Sequence, residues 1–238
     1  MNKTQNFFKT YHVSGIIIVS VILTSALIFS FFTQAIADAA TEYPKEWWQE
    51  VPRDQAESWE ILPQDAAEGE VIVSKRTELG ILSNFAATPI TLDGQTYASL
   101  EGLWQMMKFP DSALTNDPRN TATLTWPATR AEVGQMTGFA AKEAGGFGTT
   151  AMQTLGIDFV SYLGQKMIYR EPSKGAFYDL ILRATRQKIS QNPEVRRILL
   201  ATGTLVLKPD HHQEPSSPPA WRYFDIYMEL RTELQSQP

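Results

Sequence analysis

Leu79-Gly-Ile-Leu-Ser-Asn-Phe85, with Pro89-Ile-Thr-Leu92, Asp93-Gly94, Gln95-Thr-Tyr97 and Ser99-Leu-Glu-Gly-Leu-Trp-Gln-Met-Met-Lys-Phe109 behind it, decides the fold. It reads as a polar loop, a short hairpin and one amphipathic helix. Asp93-Gly94 tolerates the positive φ angles of a tight turn, so residues 89–92 and 95–97 are expected to pair as strands. Ser99 fits an N-cap, its hydroxyl accepting from an otherwise orphan backbone N–H. Leu100, Leu103, Trp104 and Met107 then recur at helical spacing on one buried face. Glu101, Gln105 and Lys108 form a second stripe beside it. On residues alone, Glu101 reads as an exposed helix glutamate.

The same run, Gly80…Leu82-Ser-Asn-Phe85…Pro89-Ile90…Asp93-Gly94…Tyr97…Glu101…Gln105…Lys108-Phe109, resembles the opening signature of the NADAR (YbiA-like) family. A second part lies in Asn192-Pro-Glu-Val-Arg-Arg-Ile-Leu-Leu-Ala-Thr-Gly203 and Thr204-Leu-Val-Leu207, and the closing helix is matched by Arg222 to Leu234. The resemblance covers roughly residues 71–235, with a loosely matched middle. It implies an α+β single domain, predominantly helical with a few short strands, associated with NAD and ADP-ribose metabolism. Family members that are characterised are N-glycosidases of ribosyl compounds.

By that resemblance Glu101 is the general base and cation stabiliser, and Asp210 stands in for the family's late-loop aspartate. Asn84, Phe85 and Trp104 are assigned to the ligand pocket, Lys108 and Arg130 to phosphate, and Trp221 to the late loop. The expected ligand is a ribosyl nucleotide or an ADP-ribose-type molecule, with neither metal nor cofactor. Cleaving a ribosyl C–N bond needs a water at the anomeric carbon and stabilisation of an oxocarbenium-like sugar, and one carboxylate can serve both when the leaving nitrogen departs readily. A catalytic Glu101 buried beside Trp104 is expected to have a raised pKa.

Two departures stand against the family pattern. Gly102 follows Glu101 where the family reads His. In the late loop, Asp210-His-His-Gln-Glu-Pro-Ser-Ser-Pro-Pro-Ala-Trp221-Arg-Tyr-Phe-Asp225 replaces a Trp-Gly and glycine-rich run with prolines, which bars the usual close backbone approach. A binding module on the same fold, with catalysis lost, is therefore the alternative reading. His211-His212 could bind a metal only with further ligands, and none stand at recognisable spacing. As the only histidines after the leader they could form an acid–base pair near neutral pH, though in such a loop solvent exposure is expected.

The first forty residues read as a targeting segment. Lys3 and Lys9 precede an uncharged run, Gly15 to Phe32, and Ala35-Ile-Ala37 and Ala37-Asp-Ala39 fit a signal-peptidase site. The apolar run also reaches the ~18 residues that can span a bilayer, so cleavage and retention as an anchor through residues 15–32 both remain open. Either way the bulk of the chain is expected to be exported, to the periplasm or another extracytoplasmic space. No cysteine is present, so the exported domain is expected to rest on its core alone. The formal charge is −5, and −6 once residues 1–39 and their two lysines and one aspartate are removed. An acidic chain is poorly suited to duplex nucleic acid, whose binding rewards clustered cations.

Residues 41–70 read as a linker arm, with three prolines and with Trp47, Trp48 and Trp59 docking on the domain of residues 71–238; a partner contact is the alternative. Val71 to Lys75 is expected as a strand, and Ala128 to Gln135 as a helix begun at Pro127. Gly138 to Gly148 is expected as a flexible glycine-rich connector. Helices are expected over Asp158 to Arg170, Lys174 to Ser190 and Pro193 to Ala201. Arg183, Arg186 and Lys188 are expected on a solvated face.

Overall fold

The first segment of regular β structure is β1 (Glu70–Val73), and it is completed only near the end of the chain, by β6 (Val206–Pro209). The two pair in parallel, with Val71 opposite Leu207 and Val73 opposite Pro209. Between them come the hairpin β2 (Ile90–Leu92) and β3 (Gln95–Tyr97), helices α1 (Leu100–Met106), α2 (Arg130–Gly134) and α3 (Gly138–Thr154), a second hairpin, β4 (Phe159–Tyr162) and β5 (Gln165–Ile168), and helices α4 (Ala176–Gln191) and α5 (Pro193–Ala201). Helix α6 (Tyr223–Ser236) closes the domain. This computed structural model describes residues 43–121 and 123–236. The architecture is α+β and mostly helical, with the strands of the described residues in three two-stranded pairs.

Helix α1 is the axis of the packing. Ser99 caps it, its Oγ accepting from the Gly102 amide at 2.9 Å and donating to the Met136 carbonyl at 2.9 Å. All seven helical residues are buried, the polar stripe as well as the apolar one. Helix α3 packs along that polar stripe. A Cβ on Gly145 would lie 1.7 Å from Gln105 Oε1, and one on Gly148 would lie 2.9 Å from Lys108 Cβ. Gly145 and Gly148 are therefore part of a helix face shaped for close contact, and 138–148 is helix rather than a flexible connector.

Asp158 to Arg170 is a hairpin rather than the expected helix. Leu163 and Gly164 both take positive φ (49° and 78°), which makes a two-residue turn compatible with strand twist. Phe159, Tyr162 and Met167 fit helical spacing, yet Phe159 pairs with Ile168 and Tyr162 with Gln165 across the turn. The Gly164 amide donates to Asp111 Oδ2 at 3.1 Å and ties the turn to the loop after α1.

The segment from Tyr43 onward belongs to one compact unit. Trp47 is fully buried and its indole donates to Glu78 Oε1 at 2.8 Å, while Trp48 donates to the Glu70 carbonyl at 3.0 Å. Trp59 stays partly exposed and meets Phe139 edge-on, with ring centroids 6.3 Å apart. Lys188 is also inside rather than on a solvated face: fully buried, it donates to the Ser83 carbonyl at 2.7 Å. The expected targeting segment, residues 1–40, lies outside the described residues. Among those described, no helix is long and apolar enough to cross a membrane.

Candidate active site

The loop Ser83-Asn84-Phe85 is fixed through three successive carbonyls. Ser83 O accepts from Lys188 of α4, Asn84 O from the Glu101 amide of α1 at 2.9 Å, and Phe85 O from the Gly138 amide of α3 at 3.0 Å. With its backbone anchored on three helices, the loop forms one wall of a cavity of about 640 Å³. Glu101, Trp104 and Gln105 of α1 form the floor; Phe139 and Lys142 of α3, with Lys75 from the end of β1, form a second wall. Tyr169, Trp221 and Tyr223 face them, and the loop 211–217 and Trp59 stand at the remaining side.

Glu101 is 7% exposed and receives a 2.7 Å hydrogen bond from Gln105 Nε2. Burial raises its pKa above the usual glutamate value; the Gln105 hydrogen bond and the charges of Lys108, Lys142 and Lys75 oppose that rise without cancelling it. Gln105 Oε1 is buried without a partner among the described residues, so the polar stripe of α1 carries unused hydrogen-bonding capacity beside the cavity.

Aromatic rings line much of the remaining surface. Trp104 donates through its indole to the Tyr169 hydroxyl at 3.1 Å, and Trp221 donates to the Tyr169 carbonyl at 3.1 Å. Burial pushes the Tyr169 phenol up to about 12, so it stays protonated at neutral pH. On the opposite wall, Phe85 has two lysine ammonium groups over its ring, Lys75 at 5.0 Å and Lys142 at 5.7 Å from the centroid. Lys142 is exposed and makes no ion pair among the described residues, whereas Lys75 is bonded to Asp210. The site thus has a carboxylate floor, an indole-rich side and a cationic side.

Of the residues singled out in the sequence, Asn84, Phe85, Glu101, Trp104 and Trp221 come together here. Asp210 does not line the cavity; it is 1% exposed and sits behind Lys75, whose ammonium it binds. Lys108 does not line the cavity: α3 covers that stripe, and the ammonium donates to Thr149 Oγ1 at 2.9 Å and to the Gly145 carbonyl at 3.3 Å while lying 5.1 Å from the Tyr169 ring centroid. Its burial lowers the pKa to about 8.

Arg130 is on the far flank of α1. It caps that helix through the carbonyls of Met106 and Phe109, both at 3.0 Å, and reaches Ser161 O and Asp111. A larger cavity, about 760 Å³, lies on that flank, and the Arg130 guanidinium that lines it is bonded to three carbonyls and paired with Asp111. Neither Lys108 nor Arg130, the residues expected at phosphate, lines the cavity that holds Glu101.

Sequence reading missed Lys75, Lys142 and Tyr169. Nothing in spacing joins them, since they meet only once β1, α3 and the segment after β5 are packed. The missing histidine after Glu101 has a local cause: a Cβ at Gly102 would stand 2.6 Å from the Met136 carbonyl oxygen. Among the described residues no group of three or more His, Cys, Asp or Glu could hold a metal ion.

No protein-family model matches the chain, and no curated protein matches it. Among solved structures, it is similar to the NMR structure of the E. coli protein YbiA, with 21% identity over 69% of this chain and 84% of that one, at a TM-score of 0.35.

Proposed function

We propose that this protein is an N-glycosidase that hydrolyses the C–N bond of a phosphorylated ribosyl compound, a nucleotide or ADP-ribose adduct, with Glu101 as the base. The observation that carries this reading is a buried carboxylate with a raised pKa on the floor of an aromatic and lysine-lined cavity. The signature resemblance of residues 80–109 supports it independently. Glu101 takes a proton from the attacking water, and its negative charge faces the oxocarbenium-like sugar. Trp104, Tyr169 and Trp221 offer faces and edges for a planar base. Lys142, which makes no ion pair among the described residues, supplies the cation for a phosphate in place of Lys108 and Arg130, with Lys75 beside it over Phe85. Export through the first forty residues is part of the same proposal.

The test incubates the full-length protein and Glu101→Gln with ADP-ribose, NAD and nicotinamide mononucleotide, following binding by calorimetry and products by chromatography. Turnover that is lost in Glu101→Gln supports the reading. Equal turnover in both proteins, or binding without turnover, overturns it; the second result favours a ligand-holding module on the same fold.

A further inference from the structure

Beside the lysine wall stands a group that the one-carboxylate scheme leaves idle. His211 lines the cavity, and its ring is oriented from two directions. Nδ1 lies 3.1 Å from Oδ1 of Asp210, and the imidazole stacks on Tyr223 with an interplanar angle of 19° and centroids 6.4 Å apart. Asp210 is well placed to orient it. It is buried, its backbone carbonyl accepts from the Ile61 amide at 2.9 Å, and its second carboxylate oxygen is held by Lys75. Burial alone would raise the Asp210 pKa, but the hydrogen bonds from His211 and Lys75 outweigh it and keep the group anionic.

The neighbouring charges are committed elsewhere. Glu60, which bridges to His211 through the backbone, binds Arg76 at 2.7 Å, and His212 turns to Glu214 at 2.8 Å. With Nδ1–H donating to Asp210, Nε2 is the ring nitrogen of His211 that has no partner among the described residues. A buried carboxylate that fixes one imidazole nitrogen and leaves the other free in a cavity is the arrangement of a proton-transfer dyad.

We infer that His211, oriented by Asp210, is the general acid that protonates the departing nitrogen, so that the enzyme accepts ribosides of neutral bases as well as those of cationic ones. This rests on the glycosidase reading. In the step, Glu101 removes a proton from water and the water oxygen bonds to the anomeric carbon. The C–N bond breaks, its electron pair stays on the nitrogen, and the imidazolium Nε2–H supplies the proton that this nitrogen keeps. The products are the hydroxylated sugar and the N–H base; Glu101 then releases its proton to solvent and His211 takes one up. A pyridinium base needs no such proton, because the electron pair neutralises its charge. Asp210 acts here as a positioning residue.

The experiment compares the full-length chain, His211→Gln and Glu101→Gln on two 5′-phosphorylated ribosides, adenosine monophosphate and nicotinamide mononucleotide, after circular dichroism has shown each variant folded. The expected result is a ~10²–10⁴-fold fall in kcat with adenosine monophosphate in His211→Gln, the ordinary range for a lost general acid, and a change below about threefold with nicotinamide mononucleotide. Imidazole in the buffer should partly restore His211→Ala on the first substrate alone. An equal loss on both substrates, no loss on either, or wild-type hydrolysis of the pyridinium riboside alone overturns the inference while leaving the glycosidase reading intact. Absence of turnover on both substrates in the wild type, or undiminished turnover in Glu101→Gln, overturns that reading and the inference with it.

Discussion

The two flanks of α1 both bury charge, and they do so in opposite ways. On one flank the side chains of Arg119 and Asp117 are fully buried as a pair, and none of their nitrogens or oxygens lacks a partner among the described residues. The guanidinium binds both carboxylate oxygens at 2.8 Å, the Met107 carbonyl at 2.8 Å and Ser161 Oγ at 2.5 Å. On the other flank Glu101 has one direct hydrogen bond among the described residues, and its partner Gln105 keeps an oxygen unanswered. A saturated buried charge holds structure, since nothing remains for a ligand to satisfy. An under-satisfied one carries a standing cost, and a ligand or water can relieve it. The unanswered carboxylate side, more than cavity size, marks the cavity floored by Glu101 as the candidate site.

Breaking the saturated flank should give the largest effect. Arg119→Ala leaves Asp117 buried without its partner and should cost about 3–5 kcal/mol in stability, read as a fall in the urea midpoint. A loss under 1 kcal/mol would show that the pair is not the support described.

Glu101→Gln should do the reverse, abolishing turnover while keeping or raising the melting temperature. The folded-state pKa of Glu101 is raised, so its stabilising contribution is present below the unfolded value and is lost as pH rises through the folded one. The stability advantage of Glu101→Gln over wild type should therefore widen from pH 4 upward. A gap independent of pH would mean that Glu101 titrates like a surface glutamate.

Lys188 permits a sharper comparison, since burial drops its pKa to about 7. The unfolded chain binds the proton more readily between that value and the ordinary one near 10.5, so wild-type stability should climb across this window. Lys188→Met should flatten the climb in melts taken at pH 7 and pH 9.5.

The smallest pair of effects concerns α3. Gly145→Ala pushes on Gln105 and should destabilise by about 1–3 kcal/mol. Gly146→Ala meets nothing within 4 Å and should stabilise by about 0.5–1 kcal/mol, as expected for alanine in a helix interior. Differential scanning calorimetry of the two variants should move in opposite directions.

Much of this was legible in the sequence where local chemistry acts alone. The Asp93-Gly94 turn, the Ser99 cap and the proline start of α5 stand where spacing put them. The errors came where one residue type serves two purposes. Glycines over 138–148 suggested freedom, but the segment is helix, and Gly145 and Gly148 fit it against Gln105 and Lys108. Aromatic spacing over 159–167 suits a helix as well as a hairpin, and only the Leu163-Gly164 turn separates them. The site was legible on the loop and α1, which are contiguous. Its cationic wall was not, because Lys75 and Lys142 meet over Phe85 only through the tertiary fold.

The parallel pair of β1 and β6 also sets when the site can exist. Lys75 follows β1, Asp210 follows β6, and 135 positions separate the two. A contact that spans so much of the chain forms late, after its loop-closure entropy has been met by other packing. A chain that has emerged only as far as α5 holds Glu101 and Asn84 but lacks both His211 and the Asp210 that steadies Lys75. The capacity for chemistry would then arise as the last strand docks, and activity would report that the whole domain is closed.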